Sequence, residues 1–191
     1  SLSRSFVCAG QKMDFRCFLI AILLSISTSN CARILIVFPT LSISHVIPLQ
    51  PLAKLLAERN HEVTFVSAFP QSKPIKNYRD IVIPYNEEDK KFVTEIAKDP
   101  KEANVFKILA GLPQMVYNVG NLTLQMPEMR RLMKEEKFDL LIVGYFMTEF
   151  VLGLGDHFKC PTILFSPAGI VSTLNGIVGN PISPSSIPHY S

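Results

Sequence analysis

The sequence predicts an α/β fold, an open right-handed Rossmann-like sheet of parallel strands with helices on its faces. Two observations carry that prediction. Short apolar runs rich in β-branched residues, Ile34-Leu35-Ile36-Val37-Phe38 and Leu140-Leu141-Ile142-Val143 foremost, suit strands buried on both faces. Between the strand-like runs lie stretches whose apolar residues recur at helical spacing, and such alternation builds a parallel sheet. Ligands of such sheets bind outside the carboxyl ends of the strands, so the loops after Phe38, Val143 and Phe165 are where chemistry is expected.

Taken in order, the chain starts at Ser1, and its first methionine is Met13, so residues 1–12 read as a non-native leader. Residues 13–31 read as a signal peptide. Arg16 precedes an apolar core from Phe18 to Leu24, and a small, polar tail ends at Cys31. Cleavage after Cys31 would place Ser29 and Cys31 at the positions a signal peptidase reads. A membrane anchor is the competing reading, but the apolar core falls short of the ~20 residues a spanning helix needs. Residues 32–191 then form one domain.

The strand Arg33–Phe38 ends at Pro39. A helix follows with Leu49, Leu52, Ala53 and Leu56 on its apolar face, Pro48 and Pro51 in its first turn, and Asn60-His61 closing it. Val63–Val66 and Ile81–Ile83 read as the next strands. Phe92–Lys98 and Val105–Tyr117 read as helices broken by Pro100 and Pro113, and Met126–Glu136 as another. Then come the strand Leu140–Val143, an amphipathic helix from Glu149 to Phe158 and the strand Thr162–Phe165. From Ser166 onward Pro, Ser, Gly and Asn dominate, and the end at Ser191 reads as a truncation.

Net charge is +3 with 18% charged residues and no basic block, which argues against a nucleic-acid partner. Of the four cysteines, Cys8, Cys17 and Cys31 fall in the part expected to be removed, so Cys160 alone remains and no internal disulfide is expected. The tripeptide Asn121-Leu122-Thr123 is a glycosylation sequon, making Asn121 a candidate modification site consistent with the endoplasmic reticulum lumen.

The loop Pro39–Leu49 contains no glycine, whereas a dinucleotide site would need Gly-x-Gly-x-x-Gly there for the tight turn and the approach to the pyrophosphate. It does contain His45, at the expected start of a helix, where positive partial charge keeps an imidazole neutral and fit to act as a general base. Position alone leaves a capping role equally open. His61 reads as part of a turn, His157 as an exposed helix-end residue and His189 as a loop residue, and no metal site is expected. No Gly-x-Ser-x-Gly or phosphate-binding loop is present.

The ordered set Arg33–Pro39, Ser44-His45 with Pro48-Leu49, Leu52–Ser67, Phe138–Val143, Leu152–Gly155, His157–Lys159 with Pro161, Gly179–Pro181 and Ile187–His189 resembles the inverting UDP-glycosyltransferases, the insect-type members in particular. The resemblance implies the amino-terminal, acceptor-binding domain of a two-domain GT-B glycosyltransferase whose second, donor-binding domain is absent here. It implies transfer of a hexosyl group from a UDP-sugar to a hydroxyl of a small lipophilic acceptor, with inversion and His45 as base. It implies no cofactor, the UDP-sugar being a co-substrate held mainly by the other domain. Membrane anchoring is expected only through the missing carboxyl-terminal part.

The family also uses an acid to hold that histidine, and alignment on Phe138-Asp139 puts Gly144 at its position. Glycine cannot do this work. Glu149, at the expected start of the following helix, is the best substitute, ahead of Asp139 and Asp156. The acceptor pocket is expected to draw on Phe69, Phe106, Leu109, Met115, Tyr145, Phe146 and Met147. The alternative is a non-catalytic luminal binding or interaction protein that retains the fold, motivated by Gly144 and the missing donor half.

Overall fold

A computed structural model describes residues 31–96, 105–146 and 148–167, together with Gly176 and Gly179. The leader, all but the last residue of the signal peptide, Met147, His189 and most of the segment after Pro167 lie outside the described residues.

Five strands form one parallel sheet: β1 (Arg33–Phe38), β2 (Glu62–Ser67), β3 (Tyr78–Val82), β4 (Leu140–Gly144) and β5 (Thr162–Phe165). Their order is β3-β2-β1-β4-β5. The α/β, Rossmann-like class expected from the sequence is the class observed. β1 sits at the centre, aligned with β2 from Arg33↔Glu62 to Phe38↔Ser67 and with β4 from Ile34↔Leu140 to Val37↔Val143. The chain winds one way from β1 to β3 and the other way from β1 through β4 to β5, so the direction changes between β1 and β4. A crevice opens at such a switch, at the carboxyl ends of the strands.

Alternation along each strand feeds two cores. Ile34, Ile36, Phe38, Val63, Phe65 and Ile142 face one side, where they meet Val46 of the short helix α1 (Ile43–Val46) and Leu49, Ala53 and Ala57 of α2 (Leu49–Glu58). Leu35, Val37, Val66, Leu141 and Val143 face the other. There they pack against the second half of α4 (Val105–Gln125), against α5 (Pro127–Glu135) and against α6 (Gly153–Phe158). Helix α3 (Glu87–Ile96) lies against α4, with the Phe92 ring over Gly111.

Several local expectations change. Leu52 was assigned to the buried face of α2 but is exposed; Ala57 takes the inner position instead. Helix α2 ends as expected at Asn60, whose φ of 67° is tolerated by asparagine, while the His61 amide reaches back to the Leu56 carbonyl. Strand β3 starts three residues earlier than its apolar run. Arg79 and Asp80 are accommodated because Arg79 reaches Thr64 and Glu136 and Asp80 accepts the Gln71 amide. Helix α3 begins at Glu87 rather than Phe92, with the Asn86 side chain accepting the Asp89 amide at 2.7 Å.

Helix α4 is not broken at Pro113 and runs to Gln125. Beyond the proline Val119 and Thr123 are buried, Val119 in the core on this side of the sheet, and such packing opposes the ~3 kcal/mol that an internal proline costs. The single helix expected over Glu149–Phe158 is instead a 3-10 turn, Glu149–Val151, followed by α6. Gly155 is needed there, because a Cβ would strike the Thr162 hydroxyl of β5. Among the described residues no helix is long and apolar enough to cross a membrane.

Candidate active site at the β1/β4 switch

The loops after β1 and β4 enclose a cavity of about 390 Å³. Pro39, Thr40, Leu41, Ser42 and His45 line it from the first loop and α1. Phe146, Thr148 and Phe150 line it from the second, and Val93 of α3 with Leu112, Met115, Val116 and Val119 of α4 close the far wall. Most of this wall is hydrocarbon, with a few hydroxyls and one imidazole as its polar groups, as a pocket for a small apolar molecule requires.

Backbone hydrogen bonding sets the first loop. The Thr40 amide turns back onto the Phe38 carbonyl at 2.9 Å, the Ser42 amide donates to Thr40 Oγ1 at 3.2 Å, and the His45 amide to the Ser42 carbonyl at 3.1 Å. The second loop is held by Thr148, whose hydroxyl donates to the Gly144 carbonyl at 2.9 Å and accepts the Phe146 amide at 3.3 Å. The Tyr145 amide donates to the Phe165 carbonyl, tying this loop to β5.

His45 is half-buried, and its Nδ1 is enclosed with no hydrogen-bond partner. Its ring lies 4.3 Å from the Phe146 ring, centroid to centroid, at 56°. Burial pushes the imidazole below its ordinary range, favouring the neutral form. The sequence attributed neutrality to a helix N-terminus. The structure instead places His45 in the last turn of the four-residue α1, and desolvation is the cause.

Glu149 does not join His45. It is exposed, and its Oε1 accepts the Tyr145 hydroxyl at 2.7 Å. Gly144 stands at the end of β4 beside Phe38, and a Cβ built on it would collide with the Phe38 ring. That ring is fully buried. The space that an acidic side chain at 144 would occupy is therefore filled by the aromatic residue across from it.

Of the other residues expected around the pocket, Met115 and Phe146 line it. Tyr145 is buried but not in the cavity wall, Phe69 packs in the core on the α2 side, and Phe106 is 86% exposed. The Leu109 side chain and Met147 lie outside the described residues. Leu112, Val116 and Val119 went unread because helix α4 was expected to end near Tyr117 with a break at Pro113.

Asn121 is exposed on α4, while Thr123 of the same sequon is fully buried, its hydroxyl donating to the Val119 carbonyl at 2.8 Å. His61 Nδ1 accepts the Ala32 amide, and His157 Nε2 donates to the Met133 carbonyl, so both have structural work. Among the described residues no three His, Cys, Asp or Glu side chains are grouped to hold a metal. A second hollow, about 350 Å³, opens near the amino ends of β1, β2 and β3. Its two arginines are engaged, Arg33 by Glu62 and Glu136 and Arg79 by Glu136, so it is a solvated ion-pair seam.

No protein-family model matches the chain. Among characterised proteins it is 30% identical over 169 residues to UDP-glycosyltransferase UGT4 of Dactylopius coccus, covering 87% of this chain and 33% of that protein. UDP-glycosyltransferase UGT5 of the same species is 31% identical over 172 residues, 86% of this chain and 32% of that protein. The chain thus spans about a third of the length of the relatives it matches. Two solved structures, the glycotransferase of kitacinnamycin and LpCGTa in complex with UDP, are each 16% identical. They cover 78% and 82% of this chain, 34% and 39% of theirs, with TM-scores of 0.47 and 0.40. Neither likeness is close enough to carry an argument.

Proposed function

This chain is a relative of the UDP-glycosyltransferases, and from that relationship together with the geometry at the β1/β4 switch we propose that it supplies the acceptor site and the base for transfer of a hexosyl group from a UDP-sugar to a hydroxyl of a small lipophilic acceptor. The observation that carries the reading is His45, a half-buried imidazole that burial pushes below its ordinary range, lining an apolar cavity. In the proposed step the neutral ring takes the acceptor hydroxyl proton. The acceptor oxygen bonds to the anomeric carbon on the face opposite the UDP, and the bond to UDP breaks with its electron pair leaving on the phosphate. That displacement inverts the anomeric centre and passes through no covalent sugar intermediate.

The donor would be held mainly by a second domain of a two-domain GT-B protein, beyond the third of its relatives' length that this chain spans, and residues 1–191 by themselves are expected not to turn over. Residence in the endoplasmic reticulum lumen, and anchoring through a carboxyl-terminal segment, belong to the same proposal. Glu149 would serve as the partner acid only after releasing the Tyr145 hydroxyl and swinging toward His45.

The test is made in the longer protein that carries these residues. His45→Ala is expected to abolish transfer while leaving UDP-sugar binding unchanged. Transfer retained in that variant would remove the base assignment. Absence of transfer by the unsubstituted longer protein would instead favour the alternative, a non-catalytic luminal binding or interaction protein that retains the fold, which Gly144 motivates.

A further inference from the structure

We infer that Phe146 is a positioning residue for His45, its ring doing for the imidazole what a carboxylate does in a histidine–acid pair: fixing its orientation and stabilising its protonated form. The inference rests on the reading of His45 as the base.

Three observations lead to it. The Phe146 ring centroid is 4.3 Å from that of His45, inside the ~6 Å within which an aromatic ring attracts a cation. Every described residue lining the cavity is uncharged, so neither the first loop, the second loop, α3 nor α4 turns an acid or a base toward the imidazole from that wall. The two places from which a carboxylate would be expected are closed: Phe38 fills the space beyond Gly144, and Glu149 is bound to Tyr145.

Phe146 is itself fixed. Its amide donates to the Thr148 hydroxyl, which is anchored on the Gly144 carbonyl, so hydrogen bonds at the end of β4 hold the backbone that carries its ring. A neutral imidazole gains little from that neighbour. The imidazolium formed when the acceptor proton is taken gains the attraction of the adjoining π system, and gains it at the moment the charge appears.

The experiment is an NMR titration of the His45 ring in this chain, with His45→Gln identifying its resonance. Phe146→Leu, which keeps apolar bulk without the ring, is expected to lower the His45 pKa by about half a unit. Phe146→Tyr, which keeps the ring, is expected to hold the unsubstituted value. A His45 pKa unchanged or raised in the leucine variant, or lowered as far in the tyrosine variant, would overturn the inference. Phe146 is 40% exposed, so neither change empties the core, and unchanged resonances of His61 and His157 report an intact fold. In the longer protein Phe146→Leu is expected to reduce kcat a few-fold and to move the acidic limb of the pH profile down by the same half unit, and Phe146→Tyr to leave that limb in place. Failure of the base assignment is read separately, as transfer surviving His45→Ala, and leaves the titration result standing.

Discussion

Gly144 is the residue at which this chain departs from what its resemblance implies, and its neighbour explains how the departure is accommodated. A side chain there would collide with a fully buried aromatic ring at the centre of the sheet. Gly144→Ala is therefore expected to destabilise the fold by about 1–3 kcal/mol, read as a lowered urea midpoint, and Phe38→Leu in the same chain to recover part of the loss. His45 gives a second prediction at this scale. Its pKa is lowered in the folded chain from 6.5, so the unfolded chain binds the proton first and stability falls as pH drops below about 6.5. Above that pH the term is constant. His45→Gln is expected to flatten this limb in thermal melts taken across pH 5 to 7.5. Asp80, raised by burial from 3.8, acts with the opposite sign and in a lower window, where the folded chain holds the proton longer and acidification adds stability.

The elements divide into those whose sequence carries their own signal and those set by neighbours. Strands β1 and β4 are unbroken apolar runs because both their faces are buried, and both were legible. Strand β3 lies at the edge of the sheet, where Arg79 and Asp80 find partners, and only its apolar end was legible. Helix α4 passes through Pro113 because of what it packs on, which no local pattern records. The same division holds within the site. His45 was legible from its place after a buried strand, and Phe146 from its apolar character beside another. The close approach of the two rings, and the Phe38 ring in the space beyond Gly144, join residues far apart in sequence and were not. Glu136, just beyond α5, bridges elements in the same non-local way, with Oε2 3.0 Å from both Arg33 of β1 and Arg79 of β3. Both arginines are partly exposed, so Glu136→Gln is expected to lower stability by no more than ~1 kcal/mol, and by less in high salt, measured by urea denaturation at two ionic strengths.

At the scale of the whole molecule, the central strands β1, β2 and β4 are buried on both faces, and among the described residues an apolar opening lies at the carboxyl rim of the sheet. A small lipophilic phenol that occupies this opening should raise the melting temperature of the chain, since anything that binds only the folded form stabilises it, by about 2.7 kcal/mol at a hundredfold excess over Kd. Val116→Trp, which fills the far wall, is expected to abolish that shift. The register of β1 also has a bearing on how the molecule comes into being. One neighbour of β1, β2, lies about thirty residues on, and the other, β4, more than a hundred. Closing the shorter loop loses less chain entropy, so β1, α2 and β2 are expected to associate first and β4 to dock onto them late. In stopped-flow measurements Ile36→Val should then mainly slow folding, and Leu141→Ala mainly speed unfolding. His45 arrives with the early part and Phe146 with the late part, so the imidazole waits, without its aromatic neighbour, until β4 docks on β1.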